Sequence, residues 1–101
     1  MEAKQKLIAK MLELQHLFEQ QNDSDSKQIV ATIKQTVART ADKKIQGANV
    51  APQVKPISHI IRTKMSADNY QLTLEQRTTL FDMEGLAEDI ANKFMSGIPN
   101  L

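Results

Sequence analysis

The chain has 101 residues, 41% of them hydrophobic, but only three phenylalanines, one tyrosine and no tryptophan. One domain with a modest, aliphatic, methionine-filled core is therefore expected, and the absence of cysteine excludes disulfides, thiolate metal sites and cysteine nucleophiles. Net charge is +1, yet residues 27–64 carry +7, residues 68–101 carry −4 and the first 26 carry −2, so the chain is electrically bipolar.

Residues 2–21 have a helical pattern. Leu7, Met11, Leu14 and Phe18 step by four, three and four, the a/d spacing of a coiled-coil or bundle seam. Ile8 and Leu12 flank that seam on one side and Leu17 on the other. The large apolar side chains therefore cover roughly 220°, far more than the stripe of about 100° that a surface helix needs. Such breadth predicts either the central helix of a bundle or a helix that shares its apolar face with a partner.

QNDSDS, residues 21–26, reads as a turn, with Asp25 and Gln28 as a capping pair and Ser24 as a rival cap. A second helix is expected over 26–44, its seam formed by Val30, Ile33, Val37, Ala41 and Ile45. Two helices joined by a short polar loop make an antiparallel αα-hairpin over 1–46. QGANVAPQVKP then breaks the pattern through Gly47, Pro52 and Pro56. Residues 47–56 are expected to be a linker or hinge, or a strap pinned across the hairpin by Val50 and Val54.

Pro56 opens a short third helix over 57–65, with Ile57, Ile60, Ile61 and Met65 on one side. Lys64 lies close to that side and is expected to carry its charge outward along its aliphatic stem. In the turn 66–72, Asp68 and Asn69 are turn formers and Tyr70 covers the edge of the core. The last helix is announced by Thr73 as N-cap with Gln76 three residues on. Leu80, Met83, Ala87, Ile90 and Phe94 form one continuous seam, and Gly97 and Pro99 give a stop. Gly85 either permits a close helix contact or divides this segment into 74–83 and 86–96. The expected architecture is all-α: a small helical bundle in a single domain over 1–101, with an N-terminal hairpin, a short helix and a long or glycine-interrupted C-terminal helix.

Chemical motifs are sparse. His16 and His59 have no ligand partner at helical spacing, and there is no calcium loop, HExxH motif or glycine-rich phosphate loop. No metal, cofactor or catalytic role is therefore expected. Glu84 and Glu88 are like charges four residues apart on one exposed face; a solvated face is the expected reading, and an electropositive neighbour is the alternative. No apolar run approaches the roughly 20 residues of a membrane-spanning helix, and the charge-threaded start does not read as a signal peptide. A cytoplasmic location is expected.

These features favour a protein-interaction module, a small regulator, adaptor, chaperone or inhibitor, binding a partner protein or a second copy through an apolar helical surface. The expected partner-binding residues are Leu7, Met11, Leu12, Leu14, Leu17 and Phe18. The alternative is a nucleic-acid-binding regulator that uses the basic region 27–64 through Lys34, Arg39, Lys43, Lys44 and Lys55. Against that alternative stand the scarcity of arginine in the region, the lack of an aromatic stacking series and the acidic C-terminal third.

Overall fold

The computed structural model describes residues 2–96, so the stop signals at Gly97 and Pro99 lie outside the described residues. Four helices follow in order: α1 (Ala3–Glu19), α2 (Ser24–Ala41), α3 (Lys55–Ala67) and α4 (Leu74–Ser96). Two short 3-10 turns, Gly47–Asn49 and Ala51–Val54, lie between α2 and α3, and the described residues contain no strand.

Long-range bonds fix the topology. Lys4 at the start of α1 reaches the carbonyls of Asp42 and Ile45 just beyond α2, each at 2.9 Å. Lys64 near the end of α3 meets Asp25 at the start of α2, Lys10 of α1 lies 3.8 Å from Asp82 of α4, and Arg62 of α3 grips Glu84 of α4. The Lys4 and Lys64 pairings each join an early position on one helix to a late position on its neighbour, and Ala3 at the start of α1 shares a pocket with Ile90 and Lys93 near the end of α4. The result is an up-down-up-down bundle in which α1 packs against both α2 and α4. The N-terminal hairpin is present.

One core runs through the bundle. Leu7, Met11, Leu14 and Phe18 of α1 meet Ile29 and Ile33 of α2, Ile57 and Ile61 of α3, and Leu80, Met83, Ala87 and Ile90 of α4. Fully burying each larger aliphatic side chain contributes about 1.5–3 kcal/mol, the main force holding four otherwise marginal helices together.

The start of α2 departs from expectation. Asp23, not Asp25 or Ser24, is the N-cap: its carboxylate accepts the Ser26 N–H at 2.9 Å and the Ser26 hydroxyl at 2.7 Å. These bonds hold the Asp23 carboxyl below the usual carboxylate range, the Ser26 hydroxyl being the larger influence. The helix also ends three residues early. Asp42 is extended, and its side chain accepts the Lys44 N–H at 2.9 Å in an Asx turn.

The buried face of α2 is also rotated from the expected seam. Ser26, Ile29, Ile33, Thr36 and Thr40 are buried, whereas Val30 and Val37 are only half-buried and Ala41 is exposed. The threonines fit because each hydroxyl donates to the carbonyl four residues back, Thr36 to Thr32 at 2.8 Å and Thr40 to Thr36 at 2.7 Å. With its polar atom satisfied, each presents a methyl group to the core.

Residues 47–54 form a packed strap. Val50, Ala51 and Val54 are buried, and the second 3-10 turn touches α2, α3 and α4. Gly47 enters the strap with φ at +59°, a left-handed conformation that strains any side chain except glycine. Phe94, expected at the end of the α4 seam, is half-exposed and lies beside this glycine.

α4 is continuous through Gly85 and spans 23 residues. Its start carries the expected capping box: Thr73 Oγ1 accepts the Gln76 N–H at 3.1 Å, and Gln76 Oε1 accepts the Thr73 N–H at 3.0 Å. A Cβ built on Gly85 has nothing within 4 Å, so no close contact within the chain requires glycine there.

Candidate interaction surface

The six apolar residues expected to bind a partner separate in the fold. Leu7, Met11, Leu14 and Phe18 are fully buried and belong to the core. They are unavailable to a partner because α4 packs along the face of α1 that the hairpin alone leaves open. Leu12 is 47% exposed and Leu17 is half-buried. At about 100° per residue, Leu12 falls with Ile8 and Glu19 on the flank of α1 that turns toward α2, and Leu17 falls on the flank that turns toward α4.

The flank of α2 that faces α1 completes the first of these surfaces. A groove of about 330 Å³ is lined there by Glu19, Gln21, Asn22, Lys27, Val30, Ala31 and Lys34. Its walls combine aliphatic carbon with two exposed lysines that form no ion pair among the described residues. The valines that the periodicity assigned to the core, Val30 and Val37, lie half-buried along this flank.

The five cations of the nucleic-acid reading are exposed but not aligned. Lys34 and Arg39 lie about 140° apart around α2, five residues at about 100° each. Lys43 and Lys44 sit in the turn that follows Ala41, not on an outer face of the helix, and Lys55 opens α3. Of the remaining basic residues of the region, Arg62 and Lys64 are engaged within the fold, whereas Lys27 lines the groove. Arg62 donates through both terminal nitrogens to Glu84, Nη2 to Oε1 at 2.9 Å, and the Ser58 hydroxyl adds a bond of 2.5 Å to the same carboxylate. The Arg62 bond is the main reason that the Glu84 carboxyl titrates below its ordinary range. Lys64 lies 3.1 Å from Asp25 and 3.6 Å from Asp68, and the Asp25 bond raises its ammonium pKa most. The acidic cluster of α4 thus has an electropositive neighbour at Glu84, while Glu88 forms no ion pair among the described residues.

A polar knot closes one end of the bundle. The Tyr70 hydroxyl donates to Gln21 Oε1 at 2.6 Å and lies 2.5 Å from Ser26 Oγ, which in turn bonds Asp23. The Tyr70 ring packs against Phe18 with centroids 6.2 Å apart. Burial is the first cause raising the Tyr70 pKa, and the group stays neutral. This arrangement ties the α1–α2 turn to the α3–α4 turn. It is structural in kind, since every member has a hydrogen-bond partner within it, and Gln21 also borders the groove on the α1–α2 flank.

A second apolar surface was not foreseen. Leu74 is 75% exposed and Phe81, two turns later, is 54% exposed. Both project from the side of α4 opposite Met83, Ala87 and Ile90, and Gly85 lies on the same outward side. The signal was in the sequence: Leu74 and Phe81 are among the large apolar residues of this segment that the seam leaves out, and Leu86, another, is partly buried against the core.

His16 and His59 are exposed, and no group of three or more His, Cys, Asp or Glu side chains among the described residues is placed to hold a metal ion. No described helix is long and apolar enough to cross a membrane. No protein-family model matches the chain, and no curated protein or solved structure is significantly similar to it.

Proposed function

We propose that the chain is a protein-interaction module that acts in the cytoplasm by binding another protein along the α1–α2 flank. The observation that carries this reading is exposed Leu12 on the flank of α1 that turns toward α2, together with a groove on that flank lined by Val30, Ala31 and the unpaired Lys27 and Lys34, in a fold whose core is already complete without them. That chemistry suits an amphipathic helix whose apolar stripe covers Leu12 and Val30 and whose acidic flank meets the two lysines. Leu12 supplies apolar contact, and the lysines set orientation and partner choice.

A photo-crosslinking amino acid placed at position 12 in the producing cells tests the proposal. The expected outcome is a discrete protein adduct that disappears when Lys27→Glu and Lys34→Glu are added. Adduct formation no greater than from a probe at the α3 position His59 would overturn it.

A second reading, nucleic-acid binding, is favoured by exposed and unpaired Lys34, Arg39, Lys43, Lys44 and Lys55. It predicts affinity for duplex or single strands that falls steeply with salt, and a shallower salt dependence in the Arg39→Glu, Lys43→Glu variant. The spread of these cations around the bundle places it second.

A further inference from the structure

We infer that α4 pairs with α4 of a second copy of this chain, antiparallel, with Phe81 of each copy seated over Gly85 of the other. The inference rests on the reading of the chain as an interaction module and names one partner, itself, and one face, which is not the α1–α2 flank. Three observations carry it.

The first is the glycine. Gly85 lies inside a continuous helix, where glycine lowers stability relative to alanine, and nothing within the chain approaches the position a Cβ would take. The helix tolerates a shallow place in its outward surface that its own fold does not use. The second is the phenylalanine. Phe81 is exposed one turn before Gly85, with Leu74 two turns before Phe81 on the same side. A ring and a gap about 6 Å apart along one helix are self-complementary when a second helix is laid against the first in the opposite direction.

The third observation, charge, selects that direction. Arg77 and Glu88 flank the apolar strip on one side, are exposed, and form no ion pair among the described residues. When Phe81 faces Gly85 across a two-fold axis, Arg77 comes to within one residue of the level of Glu88 in the second copy, on the same flank. Symmetry makes two such pairs. A parallel two-fold arrangement instead carries the two flanks to opposite sides, so that Arg77 meets Thr78 and Glu88 meets the like charge of Asp89 in the second copy, and leaves Gly85 opposite Gly85 with a void between them. Like charges and empty space disfavour it; opposite charges and a filled gap favour the antiparallel one. A single helix face is a small interface, so the dimer is weak and forms in the micromolar range.

Sedimentation equilibrium of the purified protein from about 1 μM to about 500 μM reads this directly. A reversible monomer–dimer equilibrium is expected. Phe81→Glu abolishes it, and Gly85→Gln weakens it at least about tenfold while leaving the monomer as stable as the parent or more so, since glutamine is the better helix former and the space around Gly85 is open. Arg77→Glu weakens association, and adding Glu88→Arg restores it. A protein that stays monomeric throughout the range would overturn the inference. So would a dimer that survives both Phe81→Glu and Gly85→Gln, or an Arg77→Glu loss that Glu88→Arg fails to rescue. None of these results touches crosslinking from position 12, so the two readings fail separately.

Discussion

At the scale of single residues, apolar identity alone did not decide which side chains enter the core. Leu14 and Leu12 are the same residue two positions apart on one helix, yet Leu14 is fully buried and Leu12 is half-exposed. Leu14→Ala should therefore destabilise by about 2–5 kcal/mol, and Leu12→Ala by no more than about 0.5 kcal/mol, in urea unfolding. Conversely, Thr36 and Thr40 are buried where the pattern favoured Val37 and Ala41. A hydropathy pattern scores threonine as polar. It does not register that a hydroxyl bonded to its own helix leaves a methyl group for packing. Tyr70 is the reverse case, an expected core-edge residue whose hydroxyl matters as much as its ring. Tyr70→Phe keeps the contact with Phe18 and removes the hydroxyl from the Gln21–Ser26 knot, so a loss of about 1 kcal/mol is expected by chemical denaturation.

At the scale of elements, the helices were legible where local chemistry is self-contained and less so where a turn decides. The Thr73–Gln76 box lies wholly within four residues and was readable from them. The start of α2 was not, because QNDSDS offers several residues of similar capping strength. The choice of Asp23 is settled by Ser26, which must also reach Tyr70. The end of α2 depends on an Asx turn at Asp42, and this early end places Lys43 in the turn, off the helix that carries Arg39. For α4 the open question was Gly85, and the helix continues through it. Gly85→Ala should stabilise the monomer by about 0.5–1 kcal/mol, since the new methyl meets nothing and the unfolded chain loses freedom. A rise of several degrees in the thermal midpoint, measured at low protein concentration, checks this.

At the scale of the molecule, the bipolar charge distribution is spent partly inside the fold. Arg62 from the basic middle clamps Glu84 from the acidic third, bracing α3 to α4. Because this carboxyl titrates below its ordinary range when folded, the brace is at full strength above the unfolded value near about 4.3 and is lost as pH falls through the depressed folded value. Glu84→Gln should therefore be less stable than the parent at neutral pH, with the difference closing as the solution is acidified; unfolding curves across that range check it. The remaining cations were legible as a charged region but not as a scattered one, because their bearing depends on where α2 stops and on what α3 meets. The strap at 47–54 carries a consequence for timing. Its valines are held by α2 before it in the chain and by α3 and α4 after it. Its internal N–H bonds, Val50 to Gly47 and Gln53 to Val50, therefore open only when the C-terminal half lets go. Though it is the chain's longest departure from α-helix, its amides should exchange with solvent deuterium at the pace of α4, far slower than those of an ordinary loop.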